Sequence, residues 1–582
     1  MKTISSIALL ALLTPLRTPA QAPAVLLRDI RPGTQSSSTL GFAEMQGRLF
    51  FTSVTAQSTS VFDLYATDGT ASGTVAFGLP ASGVQISNGV PVAVGPNLFF
   101  LAQTAAHGQE LWRSDGTPAG TALVADLNPG VTNASADQLT SWRGYCWFFA
   151  SVPISAVRGL WRSDGTAAGT VRVGPLWAGA PRRPTVAGGK LFFVAIDPAA
   201  GDELWVLDDP HGTPRMVLDI QTGPTGSSID ELTEWRGQLY FNAKDVAFGW
   251  ELWRSDGTAV NTVLVADVNP GPGSARPAIF TPTRDYLFFM CGDPSMTGPI
   301  WQTDGTQQGT QIIAHTPLLI GFPSPTTLTA VGNVVYARAA QQTTPTTIDL
   351  YRIDGSPTGT ARVRGSDPNR ALAPMRFCAA GSRFLYFQGD DGTTGPELWR
   401  SDGTVTGTTR VADVLPGASG SMPGQMRPLG GNLVFWATGS ATGTEPYAVP
   451  LDAHGQAIGS ACGATARATT LAATDPVLGQ TCTLSGANAY PGSSGFLFCG
   501  LPATAPVQLP FAGPSCRWLL SPALFTLLAT TSVSGTSWSL ALPLPNDPAF
   551  ERVLVRVQGV FAVTDAPGSL DVTNAVNLNL GR

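Results

Sequence analysis

The chain has 582 residues, only 13% of them charged, with a formal net charge of -6 and no run of Lys or Arg. That balance excludes a nucleic-acid surface and a polybasic membrane patch. A hydrophobic content of 43% excludes general disorder, so the 65 Gly and 47 Pro read as turn punctuation between many short strands.

From the N-terminus, MKTISSIALLALLTPLRTPAQAPA carries Lys2, an apolar core Ile7–Leu13 and a small-residue site Ala20-Gln21-Ala22. This is the pattern of a secretory signal peptide over residues 1–22, with Ala20 and Ala24 as alternative cut sites. The apolar run is too short to span a bilayer, and no later run reaches the ~18–20 apolar residues of a membrane helix. The expected mature chain is secreted or held at the cell surface, monomeric, without a transmembrane segment and without a nucleic-acid partner.

Further along, an aromatic residue recurs at Tyr65, Trp112, Trp161, Trp205, Trp253, Trp301, Tyr351, Trp399 and Tyr447, at intervals of 47, 49, 44, 48, 48, 50, 48 and 48. A period in this range marks a solenoid, propeller or array. The unit beginning at Ser227 contains four strand-like runs: A (ELTEW), B (QLYFNA), C (ELWRS) and D (TVLVADV), separated by Gly, Asp and Asn. No segment keeps apolar spacings of three and four, so almost no helix is expected. Strand B is apolar at consecutive positions, and strand C sets Leu beside Trp, which a pleated strand sends to opposite faces. Sheets buried on both faces follow, and stacking four-stranded sheets radially gives a β-propeller.

The chain ends favour a ring. Val25–Gly33 (VLLRDIRPG) matches the D segments Leu123–Gly130 and Leu264–Gly271, yet precedes any A, B or C. Asn432–Gly439 and Glu445–Leu451 supply B and C near the end of the array with no convincing D. A first strand that completes the last sheet removes both free edges. The motif count gives nine blades over residues 23–454, with eight as the fallback.

The octapeptide ELWRSDGT occurs at Glu110–Thr117, Glu251–Thr258 and Glu397–Thr404, and without its Glu at Leu160–Thr166. Longer matches run through Glu110–Thr121, Leu160–Thr170 and Glu397–Thr408; Glu203–Thr213, Pro299–Thr310 and Asp349–Thr360 depart from them. These copies resemble the ELW-x-x-DGT repeat family of secreted bacterial proteins, a likeness covering roughly Val25–Leu451. The resemblance implies a secreted propeller-like protein and neither a reaction nor a ligand.

Asp-Gly between two strands is a tight-turn signal. Asp68, Asp115, Asp164, Asp256, Asp304, Asp354 and Asp402 are therefore expected as turn clips between C and D. The alternative is Ca²⁺, which asks for six to eight oxygens where each turn offers one Asp; no cofactor is otherwise expected. The repeated aromatics are expected in packing rather than stacked on sugar. The Arg that follows them (Arg113, Arg162, Arg254, Arg352, Arg400) is expected along a neighbouring blade, paired with a carboxylate.

With A innermost, the D–A and B–C loops share one face, and variable loops on a rigid scaffold are where binding is placed. The candidate ligand-binding residues there are His107, Gln109, Asp202, Asp245, Asp390 and Asp391. The expected function is a non-catalytic, secreted binding or structural protein whose face takes an extracellular glycan or protein. The alternative is a polysaccharide-active hydrolase or lyase built on a carboxylate pair. No G-x-S-x-G, H-E-x-x-H or phosphate loop is present, and no catalytic residue or metal ligand is assigned.

From Gly455 to Arg582 the period stops, and short strands with Pro and Gly turns suggest a β-sandwich. Cys462, Cys482, Cys499 and Cys516 lie there, and the preferred disulfides are Cys482–Cys499 across an apparent hairpin and Cys462–Cys516. Cys146, Cys291 and Cys378 fall in separate blades and are expected as free thiols.

Overall fold

The computed structural model describes residues 23–451 apart from 38, 55–61, 80–83, 88, 152–156, 293–298, 314–317, 320–327, 342–343, 357–358, 366–370 and 382; beyond 451 it describes the backbone of the strands. The signal peptide read over residues 1–22 lies outside the described residues. Every regular element described is a strand, and the fold is an all-β propeller.

One complete blade shows the plan: A is Asp230–Trp235, B Gln238–Asp245, C Gly249–Ser255 and D Val263–Ala266, hydrogen-bonded in that order as a four-stranded antiparallel sheet. Among the described residues the pairings trace nine such units, numbered here in chain order so that this one is blade 5. Blades 3 and 4 share a 17-residue strand, Val171–Ala187, whose first part is D of one and whose last part is A of the next. This is where the aromatic interval shortens to 44: the loop between D and A is missing and the strands fuse.

The adjacent Leu and Trp of strand C do point opposite ways, and the direction never changes. Leu252 packs in the core between blades 5 and 6, while Trp253 packs between blades 4 and 5. Leu111 and Trp112 divide in the same way between blade 3 and blade 1, and Leu398 and Trp399 between blade 9 and blade 7. Each aromatic is thus turned towards the preceding blade, commonly against the Phe facing it on strand B. Ring centroids are 6.4 Å apart in Phe193–Trp205 and Phe289–Trp301, nearly parallel in both pairs. The expectation of packing aromatics therefore holds.

Closure follows the expected route. Val25–Leu26 pairs antiparallel with strand C of blade 9, Leu26 opposite Tyr447. Leu27 and Ile30 then join Leu49, Phe51 and Tyr65 of blade 1 and Leu429, Val434 and Trp436 of blade 9 in one buried cluster. Arg28 Nη1 continues across to Thr74 O in blade 1 at 3.2 Å.

Beyond residue 451 the strands form a six-stranded and a three-stranded antiparallel sheet. Here one expectation needs correction. Thr481–Ala487 pairs with Ala472–Ala473 and Ser537–Pro543, whereas Ser494–Gln508 pairs with Arg517–Ser532 and Leu554–Ala562. Cys482 and Cys499 stand in different sheets rather than across one hairpin, because the strand that carries Cys499 takes its partners from further along the chain. The side chains of Cys462, Cys482, Cys499 and Cys516 lie outside the described residues. Cys146, Cys291 and Cys378 are free, the first two buried and the third partly so.

If the N-terminal segment seals the ring, deleting its main apolar contact should be as costly as a core cavity. Leu27→Ala, at a residue 3% exposed, is expected to cost about 2–5 kcal/mol by urea denaturation. A loss under about 1 kcal/mol would mean that closure does not depend on this strand.

Candidate functional site

The C–D turn is built from four positions of the octapeptide and one beyond it. In blade 5, Asp256 Oδ1 accepts from Thr258 N at 2.8 Å and Thr258 Oγ1 at 2.7 Å. Ser255 Oγ accepts from Gly257 N at 2.9 Å and meets Thr262 Oγ1 at 2.7 Å, while Thr262 Oγ1 donates to Thr258 O at 2.7 Å. Asp68, Asp115, Asp164, Asp304 and Asp402 make the same pair of bonds to their Thr, and Asp354 makes them to Ser356. Thr hydroxyl and backbone bonds hold the carboxyls of Asp115 and Asp164 below the usual range. The turn Gly is left-handed, φ 92° at Gly257, and is also where the preceding blade leans in. A Cβ on Gly165 would meet Arg113 Cδ at 2.9 Å, and one on Gly257 would meet Lys190 Cδ at 3.2 Å. Arg113 therefore lies along the next blade as expected, but its partner is Asn97 Oδ1 rather than a carboxylate.

The first letter of the octapeptide has a role that sequence reasoning missed. Glu110, Glu203, Glu251, Glu397 and Glu445 are all 0% exposed. Each accepts from the D–A loop of its own blade. Glu251 takes Val268 N at 2.9 Å, Asn269 N at 3.3 Å and Ala275 N at 3.0 Å. Glu397 takes Val414 N, Leu415 N and Ser421 N at 3.1, 3.3 and 2.8 Å. Glu445 takes Ile30 N, Arg31 N and Ser37 N at 3.0, 3.3 and 3.2 Å, so the N-terminal segment supplies to blade 9 the loop that every other such blade makes for itself. Burial pushes the carboxyls of Glu110, Glu203 and Glu251 up to about 7, with Asp126, Asp219 and Asp267 adding to the rise and amide donors opposing it. Glu397 and Glu445 are raised by the same burial.

The D–A loops deliver the chain to the inner wall, where A strands of successive blades contact one another. At the start of A the pairing with B slips by one residue in blades 1, 3, 4, 5, 6, 8 and 9. In six of these the bulged residue is non-glycine and left-handed: Gln138, Arg183, Glu231, Ile279, Arg376 and Gln425, with φ between 50° and 59°. Such backbone costs on the order of 1 kcal/mol or more per residue and persists only where its surroundings enforce it. Several of these side chains grip the next blade. Gln138 Oε1 accepts from Arg183 N at 2.7 Å, Glu231 Oε2 from Ile279 N at 3.2 Å, and Gln425 Nε2 donates to Thr39 O at 3.0 Å. Charge of both signs surrounds them: Arg183 pairs with Asp230, Arg182 with Asp202, and Arg158 with Asp137. This axial mouth is the candidate site.

The loop residues singled out from sequence are not brought together. His107 Nδ1 is 2.9 Å from Asp126 Oδ2. Gln109 N donates to Asn133 Oδ1 at 2.8 Å. Asp202 takes both guanidinium nitrogens of Arg182 at 2.7 and 2.6 Å, which draws it towards the mouth. Asp245, Asp390 and Asp391 accept from the backbone two residues on, at 2.7, 2.7 and 2.9 Å, as turn formers within their own B–C loops.

No protein-family model and no curated protein matches the chain. Among solved structures, a puromycin hydrolase mutant complexed with PGG is 15% identical at a TM-score of 0.35, covering 63% of this chain and 62% of its own. A puromycin-hydrolyzing peptidase of Mycobacterium tuberculosis is 14% identical at 0.35, covering 63% and 61%. The β-propeller domain of the Trilobed protease from Pyrococcus furiosus is 10% identical at 0.30, covering 56% and 98%. The chain thus spans just over three fifths of the hydrolases it matches, and the likeness is one of fold. It does correct an expectation. Those structures named for an activity are hydrolases and peptidases, so the reading of a non-catalytic chain that binds an extracellular glycan or protein, with a polysaccharide-active enzyme as alternative, is withdrawn.

The hydroxyl network of the turn has a measurable signature. Ser255→Ala and Thr262→Val each leave a buried partner unmatched and are expected to cost roughly 1–3 kcal/mol. Because they share one bond, the double variant should fall short of the sum by at least about 0.5 kcal/mol. Strict additivity in urea melts would show the two hydroxyls to be independent.

Proposed function

We propose that the axial mouth is where this chain engages its substrate, that the substrate is an extended peptide, and that the chain takes part in peptide hydrolysis. The observation that carries this reading is the ring of bulged, left-handed residues: strain repeated at equivalent positions of six blades, all on the inner rim, is kept where a surface must be held in one shape. The chemistry of the rim fits an amide polymer. Gln138, Gln425 and Glu231 are committed to the next blade, which leaves the exposed Arg183 and Arg376 as guanidinium donors and the half-exposed Asp137 and Asp230 as acceptors. Donors and acceptors of both signs at one radius suit a chain whose backbone alternates N–H and C=O and whose ends are oppositely charged. We further take the chain to be an exported member of the ELW-x-x-DGT repeat proteins, a reading supported by its N-terminal pattern and its octapeptides. No helix of the described residues is long and apolar enough to cross a membrane.

The test is incubation of the purified full chain with a mixed peptide library, read by mass spectrometry for cleavage and for retention. Cleavage or retention of a peptide subset, weakened at least tenfold in an Arg183→Ala/Arg376→Ala variant that melts normally, is the expected result. Peptides left both uncut and unretained, or treated alike by wild type and variant, would end this reading.

A further inference from the structure

Behind the mouth lies a second recurring arrangement whose chemistry the peptide reading does not use. In three blades the residue just before the first amide donor to the clip glutamate is an aspartate: Asp126 precedes Leu127 for Glu110, Asp219 precedes Ile220 for Glu203, and Asp267 precedes Val268 for Glu251. One oxygen of each aspartate clips the turn, Gly223 N reaching Asp219 Oδ2 at 3.3 Å and Gly271 N reaching Asp267 Oδ2 at 3.1 Å. The other oxygen, Oδ1 of Asp126, Asp219 and Asp267, is buried and accepts from nothing. An orphan acceptor costs about 1–3 kcal/mol, and repeating it in these three blades, with Asp29 Oδ1 before the Glu445 donor Ile30 as a fourth case, asks for a donor. The neighbouring carboxyl supplies one when it holds a proton.

We propose that Glu110–Asp126, Glu203–Asp219 and Glu251–Asp267 are proton-sharing acid pairs whose deprotonation loosens the D–A loops and, through them, the axial mouth. Dissociation releases the proton to solvent and leaves two carboxylates in one desolvated site, where like charges repel. The link to the mouth is direct. The loop residue beside each clip, Ala134, Ser227 or Ala275, is followed by a left-handed residue, Ser135, Ser228 or Arg276. The bulged Gln138, Glu231 or Ile279 comes three positions later. A loop freed from its clip therefore loses what holds two strained residues per blade.

Other groups facing the pairs sharpen the proposal. His107 Nδ1 lies 2.9 Å from Asp126 Oδ2, so in blade 2 an imidazole also faces the pair. Asp202 adds negative charge near Glu203, and the Cys291 thiol of blade 6 is raised by burial and then by Glu251. In blade 8 the aspartate at this position, Asp413, is paired with Arg410 at 3.1 Å, so its clip needs no shared proton. The sign is fixed by the direction of the glutamate shift. A carboxyl raised from 4.5 to about 7 favours the folded loop below its unfolded value, and that contribution is lost as pH rises through neutrality.

The experiment is hydrogen exchange on the full chain from about pH 5 to about pH 8.5, corrected for the intrinsic rate. Protection over 219–231 and 267–279 is expected to fall by up to roughly tenfold per pH unit near neutrality, and protection over 413–425, where Glu397 is raised by burial but Asp413 is paired with Arg410, to fall less. Glu251→Gln, which supplies an amide donor to Asp267 without a charge, should flatten the response of 267–279 and leave 219–231 responsive. Asp267→Asn should do the same by removing the other charge, and serves if the first variant fails to fold. Wild-type loops indifferent to pH, variant loops that still respond, or Ca²⁺ restoring protection at high pH would each overturn the proposal. Because the readout is loop protection and not peptide turnover, its failure is distinguishable from failure of the peptide reading.

Discussion

A propeller has no single hydrophobic centre; each sheet is covered only by its two neighbours. The interaction on which everything else depends is therefore the face-to-face contact between consecutive blades, renewed around the circuit and sealed by Leu27 and Ile30 between blades 9 and 1. An open array would leave one apolar face of its first and last sheets in water. Here Phe51 and Trp436 come from opposite ends of the array and meet edge to face at 5.0 Å, so no face is left over.

This constraint explains why so little of the octapeptide is free to vary. Leu is taken by the next blade and Trp by the previous one. Arg runs forward over the Gly of the following turn, and that Gly must be bare both for its positive φ and for its neighbour. Ser, Asp and Thr satisfy the backbone of a turn that projects beyond the sheet. Glu reaches the other way, into the loop that leads to the next A strand. The eight residues thus serve two turns at opposite ends of the blade and both of its faces.

Part of this was legible in the linear sequence because cause and effect lie close together. Asp256 acts on Thr258, two residues away, and Leu252 and Trp253 declare their faces by being adjacent. The split N-terminal strand was legible because VLLRDIRPG repeats the D segments in type and order. The glutamate was not, since Glu251 acts on residues 17, 18 and 24 positions downstream, and nothing local distinguishes a buried acid from a solvated one. The axial bulges were hidden for a different reason. Gln138, Arg183, Glu231, Ile279, Arg376 and Gln425 share a backbone conformation but no side-chain chemistry, and none is a glycine that would have announced a positive φ. Cys482 and Cys499 misled through proximity: seventeen residues suggest a hairpin until sheet pairing sends the two strands elsewhere.

The glutamate's role is fixed best by where it is missing. Blade 3 keeps Leu160, Trp161 and the whole turn that follows, yet has Gly159 in the glutamate's place. It is also the blade whose D strand runs unbroken into the next A strand, with no loop between them. A Cβ on Gly159 would meet Arg172 Cδ at 2.9 Å, within the ladder that replaces the loop. In blade 7 the position holds Asp349, 0% exposed, and its partners are the guanidinium groups of Arg362 and Arg364. A carboxyl shorter by one methylene is met there by long cations from strand D. In blade 3 loss of the loop goes with loss of the acid, and in blade 7 a shorter acid goes with a different set of donors. Had the glutamate served the sheet, blade 3 would need it as much as blade 5 does. It serves the loop, and the loop carries the chain to the rim.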